Sequence, residues 1–123
     1  WKGIFLGRRA NYKGNLGLLR KTLELAVGGP ALLRGDETTP AGLVGIITGG
    51  AGSEIEAMVK EGIDTFVTGE GPHWSHSLAE ELGLSVLYAG HYATETFGVK
   101  ALGQLLNDQF CLDWSFVDHP SGL

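Results

Sequence analysis

Short apolar runs alternating with helical segments that stop at glycine constrain this chain more than any other feature. Leu43-Val44-Gly45-Ile46-Ile47-Thr48, Thr65-Phe66-Val67-Thr68 and Ser85-Val86-Leu87-Tyr88-Ala89 are nearly continuous apolar stretches of strand length. After the first, Ser53-Glu54-Ile55-Glu56 has the form of a capping box, with Ser53 as N-cap and Glu56 reaching back. It predicts a helix to about Glu61, with Ile55, Met58 and Val59 inward, ending at Gly62. After the second run, a helix is expected from Trp74 to Leu82, stopped by Gly83. After the third, Phe97, Ala101, Leu102, Leu105 and Leu106 write the core face of a longer helix from Thr94 to about Phe110. Trp114-Ser115-Phe116-Val117 reads as a closing strand.

Strands that alternate with helices need crossover connections, and crossovers force mainly parallel pairing. Strands without a polar face need cover on both sides. The expected fold class is therefore α/β, with three-layer βαβ units around a mainly parallel sheet. Thr48-Gly49-Gly50, Thr68-Gly69-Glu70 and Ala89-Gly90-His91 must then lie along one edge of the sheet, where open α/β folds hold their ligands.

Residues 1–42 are less regular and are expected to be a linker or partial region in front of an α/β metal-site half, residues 43–123. Ile4-Phe5-Leu6 and Ala31-Leu32-Leu33 read as short strands. Leu16 to Val27 reads as a helix in which Leu18, Leu19, Leu25 and Ala26 recur at helical spacing, stopped by Gly28-Gly29-Pro30. Gly35 to Gly42 reads as a loop. Charge divides at the same place. Trp1 to Arg34 carries seven basic residues against one acid, and Gly35 to Leu123 carries two lysines against thirteen acids. The basic segment suits a phosphate-bearing partner, a nucleotide or nucleic acid, or else a solvated face or an acidic neighbour. No nucleic-acid-binding motif accompanies it.

The 123 residues make one domain or part of one. No apolar run approaches the roughly 20 residues of a membrane span, so no membrane partner is expected. The start, Trp1-Lys2-Gly3, has no initiator Met and no signal-peptide pattern, which suggests a piece of a longer protein. A single cysteine, Cys111, forbids an internal disulfide; the expectation is a cytoplasmic protein with an inert thiol.

His91 and Glu95 carry the sharpest chemical suggestion. Four residues apart at a strand's end, they fall on one helical face and can share a divalent cation; the plainer alternative is an ion pair on a helix end. Glu70 suits a metal ligand, a water-orienting group, a base or a helix cap. Gly49-Gly50-Ala51-Gly52-Ser53 suits an anion cradle, or merely a tight turn or the close approach of a facing backbone; it matches neither nucleotide-binding glycine motif. His73, His76 and His119 read as surface residues when taken singly.

Ile47-Thr48-Gly49-Gly50-Ala51-Gly52, Gly62-Ile63-Asp64-Thr65-Phe66-Val67-Thr68-Gly69-Glu70 and the run from Tyr88 through Gly90-His91-Tyr92-Ala93-Thr94-Glu95 to Leu102 together resemble the C-terminal half of the Nif-three-like family. The likeness covers about Ala31 to Leu123 and is nearest to members of the Thermus and Deinococcus type. Members of that family are hexameric proteins with a dinuclear metal centre, often named GTP cyclohydrolase I type two homologues. The resemblance implies that His91 and Glu95 are metal ligands, and that an adjacent histidine pair and an aspartate in the other half complete the set. No two of the four histidines here are adjacent. It further implies Glu70 as a catalytic carboxylate, Thr68 and His73 as substrate contacts, divalent ions (Zn, Mn or Fe) as cofactors, and a small-molecule substrate, such as a nucleotide, in a homo-hexamer. The leading expectation is a metal-dependent hydrolase-like protein; the alternative is a non-catalytic metal-binding scaffold or regulatory ring.

Overall fold

The computed structural model describes residues 6–121. In chain order the elements are β1 (Arg8–Asn15), α1 (Leu16–Val27), β2 (Leu32–Arg34), β3 (Pro40–Ile46), a single 3₁₀ turn (Gly52–Glu54) running into α2 (Ile55–Lys60), β4 (Thr65–Thr68), α3 (Trp74–Glu81), β5 (Ser85–Tyr88) and α4 (His91–Phe110). The five strands form one sheet in the order β1-β3-β4-β5-β2. β3, β4 and β5 pair in parallel, as the crossovers demand, and β1 and β2 flank them antiparallel.

Alternation along the parallel strands divides the core into two layers. Val44, Val67 and Leu87 face α1, where they meet Leu16 and Leu19. Phe66, Val86 and Tyr88 face α2 and α3, where they meet Ile55 and Ala79. Phe66, Ile55, Val86, Leu87 and Leu16 are fully buried. With both faces covered, the strands need no polar side, which is why they read as unbroken apolar runs.

Residues 8–34, read as part of a linker or partial region, supply both edge strands and the helix covering one face. Three of the seven basic residues of the N-terminal segment fall on β1. Arg8, Arg9 and Lys13 sit on an edge strand, where charge discourages pairing with another chain. Ile4-Phe5, part of the first expected strand, lies outside the described residues.

Several local expectations shift. α1 has its expected bounds and ends on Gly28, left-handed at φ 71°, but its inward stripe is Leu16, Leu19, Leu23 and Val27. Leu25, nine residues on from Leu16 and so on the opposite side of the helix, is 86% exposed, and the Asn15 side chain caps the start by accepting from the Leu18 amide. The capping box does not form. Ser53 lies within the 3₁₀ turn, and α2 begins at Ile55 without a side-chain cap.

α4 departs furthest. It starts at His91, and Thr94 is its one buried residue; Phe97, Leu102, Leu105 and Leu106 are all more than a third exposed. The expected closing strand, Trp114–Val117, is not a strand. That segment runs back along α4, with the Trp114 ring against Gly103, the Lys100 ammonium 4.3 Å from the centre of the Phe116 ring, and Asp118 accepting a hydrogen bond from Tyr92 Oη at 2.9 Å. A helix flank, not a sheet edge, takes up its aromatic residues. No helix among the described residues is long and apolar enough to cross a membrane.

Candidate functional site

Parallel pairing brings the three strand-end loops together, and backbone hydrogen bonds lock them. The Gly49 carbonyl accepts from the amides of Gly69 at 2.9 Å and Glu70 at 3.0 Å, and the Gly69 carbonyl accepts from the Gly90 amide at 2.9 Å. Thr94, one turn into α4, accepts from the Gly49 amide at 3.0 Å and turns its own hydroxyl hydrogen toward the Gly90 or His91 carbonyl. That buried hydroxyl ties the start of α4 to the first loop. Nothing in the spacing of the sequence marks it.

On this platform His91 lies between two carboxylates. Its Nδ1 is 2.8 Å from Glu70 Oε1, and its Nε2 is 3.4 Å from Glu95 Oε2. The hydrogen bond to Glu70 raises the His91 pKa above 6.5; desolvation opposes it, and the charges of Glu95 and Glu70 add to the rise. All three side chains remain partly exposed. The loop opposite is held clear by glycine. A Cβ on Gly49, whose φ is +69°, would fall 2.5 Å from Glu95 Oε1 and 3.2 Å from His91 Nε2, and one on Gly50 would fall 3.3 Å from the His91 ring. Among the described residues no group of three or more His, Cys, Asp or Glu is arranged to hold a metal ion. What this chain presents is one imidazole nitrogen and one carboxylate side by side, with a second carboxylate fixing the ring.

Other expected residues are placed differently. Thr68, expected at the substrate, is fully buried; its hydroxyl donates to the Gly49 carbonyl at 3.1 Å and accepts from the Ala51 amide at 3.3 Å. It shapes the loop and is closed to solvent. The anion cradle is largely spent as well, since the amides of Gly49, Ala51 and Gly52 are all engaged inside the protein. The close-approach reading holds for Gly52, where an added Cβ would lie 2.3 Å from Gly71 Cα. His73 is exposed and stands apart from the Glu70–His91–Glu95 group, with its ring centre 6.3 Å from that of His76.

His76 is not an isolated surface residue. Its Nδ1 accepts from Arg34 Nε at 2.8 Å, and its ring lies 4.8 Å from that of Tyr88. Desolvation, then the positive charges of Arg34 and His73, lower its pKa below 6.5. The unfolded chain therefore binds this proton more readily. As pH falls from 6.5 toward the depressed folded value, stability is lost; below both values the loss levels off. We expect the pH dependence of urea stability to flatten in that window in His76→Gln, and the His76 ring signal to titrate below 6.5. Titration at or above 6.5 contradicts the Arg34 contact.

The Duf34/NIF3 (NGG1p interacting factor 3) family model matches residues 9–120. A GTP cyclohydrolase 1 type 2 homolog from Deinococcus radiodurans is 33% identical across the whole chain, which covers 48% of that protein. A protein of the same name from Pyrococcus horikoshii is 44% identical over 65% of the chain and 32% of its own length. Among solved structures, protein ybgI, of unknown function, superposes with a TM-score of 0.82 at 34% identity, over 94% of this chain and 48% of that one. TTHA1606 from Thermus thermophilus gives 0.70 at 36% identity, over 94% and 45%. The chain thus spans half or less of the length of these relatives. With a match running from β1 into the tail beyond α4, the chain belongs to the Duf34/NIF3 family.

Proposed function

We propose that this chain contributes His91 and Glu95 to the dinuclear metal centre of a metal-dependent hydrolase-like protein. One observation carries the reading: His91 Nε2 and Glu95 Oε2 stand 3.4 Å apart while Nδ1 is held by Glu70. Two donors ~2.0–2.1 Å from one ion at a tetrahedral angle lie about 3.3 Å apart. A direct ion-pair hydrogen bond would close to ~2.7–2.9 Å, as Glu70 does on the other ring nitrogen. Imidazole with carboxylate suits Zn, Mn or Fe alike. Bound ions of this kind supply an activated water and polarise the group under attack.

The chain's own residues then divide the work. His91 and Glu95 bind, with ring orientation set by the Glu70 hydrogen bond. Glu70 Oε2 makes no hydrogen bond to the described residues and is the acceptor we assign to a proton from water or substrate. The remaining ligands, by family resemblance a histidine pair and an aspartate, come from outside this stretch, and six copies assemble into a ring. The names of the Deinococcus and Pyrococcus relatives support a purine nucleotide as substrate, opened at the ring with release of formate. A non-catalytic metal-binding scaffold is the second reading, which the same pair of donors would equally serve.

His91→Ala is expected to abolish metal uptake at one position, read by elemental analysis, with the circular dichroism spectrum unchanged. Global unfolding would instead make His91 a packing residue. Assay of the full-length protein against GTP separates the readings: turnover supports the hydrolase, and bound metal without turnover supports the scaffold.

A further inference from the structure

β2 is only three residues long, and no helix covers its α3-side face beyond α3 itself. The result is a groove of about 1130 Å³ along the outer flank of α3. It begins at Gly71, next to Glu70, and runs away from the strand-end loops toward Ser85 at the other end of β5. Arg34 and His76 lie along it, with His73 and Ser77 on the helix side.

Arg34 is held in a particular way. It pairs with Val86 across the sheet, which sends its side chain to the α3 face. Its Nε donates to His76 Nδ1 at 2.8 Å, His76 lies against Tyr88, and Tyr88 Oη is 2.8 Å from Ser75 Oγ in the core. The guanidinium is thus anchored through its inner nitrogen, while its two outer nitrogens have no partner among the described residues. Arg9 and Arg20, by contrast, each pair with a carboxylate. Glu80, the one acid lining the groove, makes no ion pair with Arg34. In a chain with fourteen acids and nine bases, an oriented guanidinium left unpaired in a groove is a recognition element in search of an anion.

We propose that this groove binds the phosphate group of a small phosphorylated molecule on the outer nitrogens of Arg34. A guanidinium presents two parallel N–H donors that match two oxygens of a phosphate. A carboxylate would be satisfied by that fork alone. Here the groove that holds the fork is lined by further donors: the Nε2–H of His76, which is neutral because Nδ1 accepts from Arg34, the His73 ring and the Ser77 and Ser85 hydroxyls. A tetrahedral anion uses such a surrounding set. The groove also exceeds the space a bare phosphate needs, since sites of ~300–1,000 Å³ take molecules of nucleotide size. None of the residues assigned to the metal centre takes part.

The test is an amide NMR titration in EDTA with inorganic phosphate, AMP, adenosine and acetate as probes. The amides of Gly35, His73, His76 and Ser77 should shift and saturate with phosphate and AMP, respond more weakly to acetate, which the fork alone can hold, and stay still with adenosine. Tighter binding of AMP identifies a phosphate monoester as the natural form; equal binding identifies free phosphate. Arg34→Met should weaken binding about tenfold to a hundredfold, the loss of one charge-assisted pair, and Arg34→Lys should fall between because it keeps charge but not the fork. Arg34 is exposed on an edge strand, so both variants keep the core. Absence of shifts, an equal response to acetate, or undiminished binding in both variants overturns the proposal.

Discussion

Gly69→Ala is expected to destabilise this chain by at least roughly 1–3 kcal/mol, the cost of forcing extra volume into a packed interior. An added Cβ at Gly69 would meet the Gly49 carbonyl oxygen at 2.7 Å, Thr94 Oγ1 at 2.7 Å and the Gly90 carbonyl oxygen at 2.8 Å. Those three atoms belong to two segments, the Gly49 loop and the start of α4, and each is held by hydrogen bonds to the others or to Gly69 itself. None is the free end of a flexible side chain, so relief requires parting the loops. The same displacement would move Glu70 and the first turn of α4, and with them both partners of the His91 ring. Urea denaturation reads the stability loss, and the His91 ring resonances read the disrupted geometry. Gly98→Ala is the matched control. It lies within α4 with open space around it, so alanine should be neutral or stabilise by about 1 kcal/mol through helix propensity. Equal behaviour of the two variants would mean that the loops are not interlocked at Gly69.

What the residues disclose in advance, and what they withhold, follows from the range of the interactions. Thr65–Thr68 and Ser85–Tyr88 are legible because a strand buried on both faces must be apolar throughout. The meeting of Glu70 with His91 is legible one step later, since parallel crossovers place successive strand ends on one edge. The flanking strands are not. Arg8–Asn15 carries no apolar pattern, because an edge strand is specified by its partner and not by its own periodicity. The burial of Thr68 is not legible, because a hydroxyl at a strand end looks the same in sequence whether it faces solvent or ties a loop. Arg34 with His76 is invisible for a further reason. They are 42 positions apart, and their contact depends on the register of β2 against β5, which no local signal sets. Ser53 shows the opposite error. The capping-box pattern is present, but the chain enters α2 through a 3₁₀ turn that takes Ser53 inside it.

Phe66→Ala should cost about 3–5 kcal/mol, the range for removing a buried aromatic ring. The ring is fully buried between the central strand of the sheet and the α2/α3 layer, among Ile55, Ile63 and Val86. Surrounding backbone is fixed by parallel pairing on both sides, so the cavity cannot close by local collapse. Against a typical domain stability of ~5–15 kcal/mol, the variant should show a large drop in urea midpoint or fail to fold at physiological temperature. Phe97→Ala is the informative partner, because sequence periodicity assigns both rings to the core. Phe97 is 47% exposed on α4, and in the isolated chain its loss should stay within about 0.5 kcal/mol. A small effect at Phe66 would mean that the sheet is not the centre of the core. A large effect at Phe97, growing with protein concentration, would mean that a second copy covers the apolar side of α4, as the six-membered ring proposed above requires of some surface of this chain.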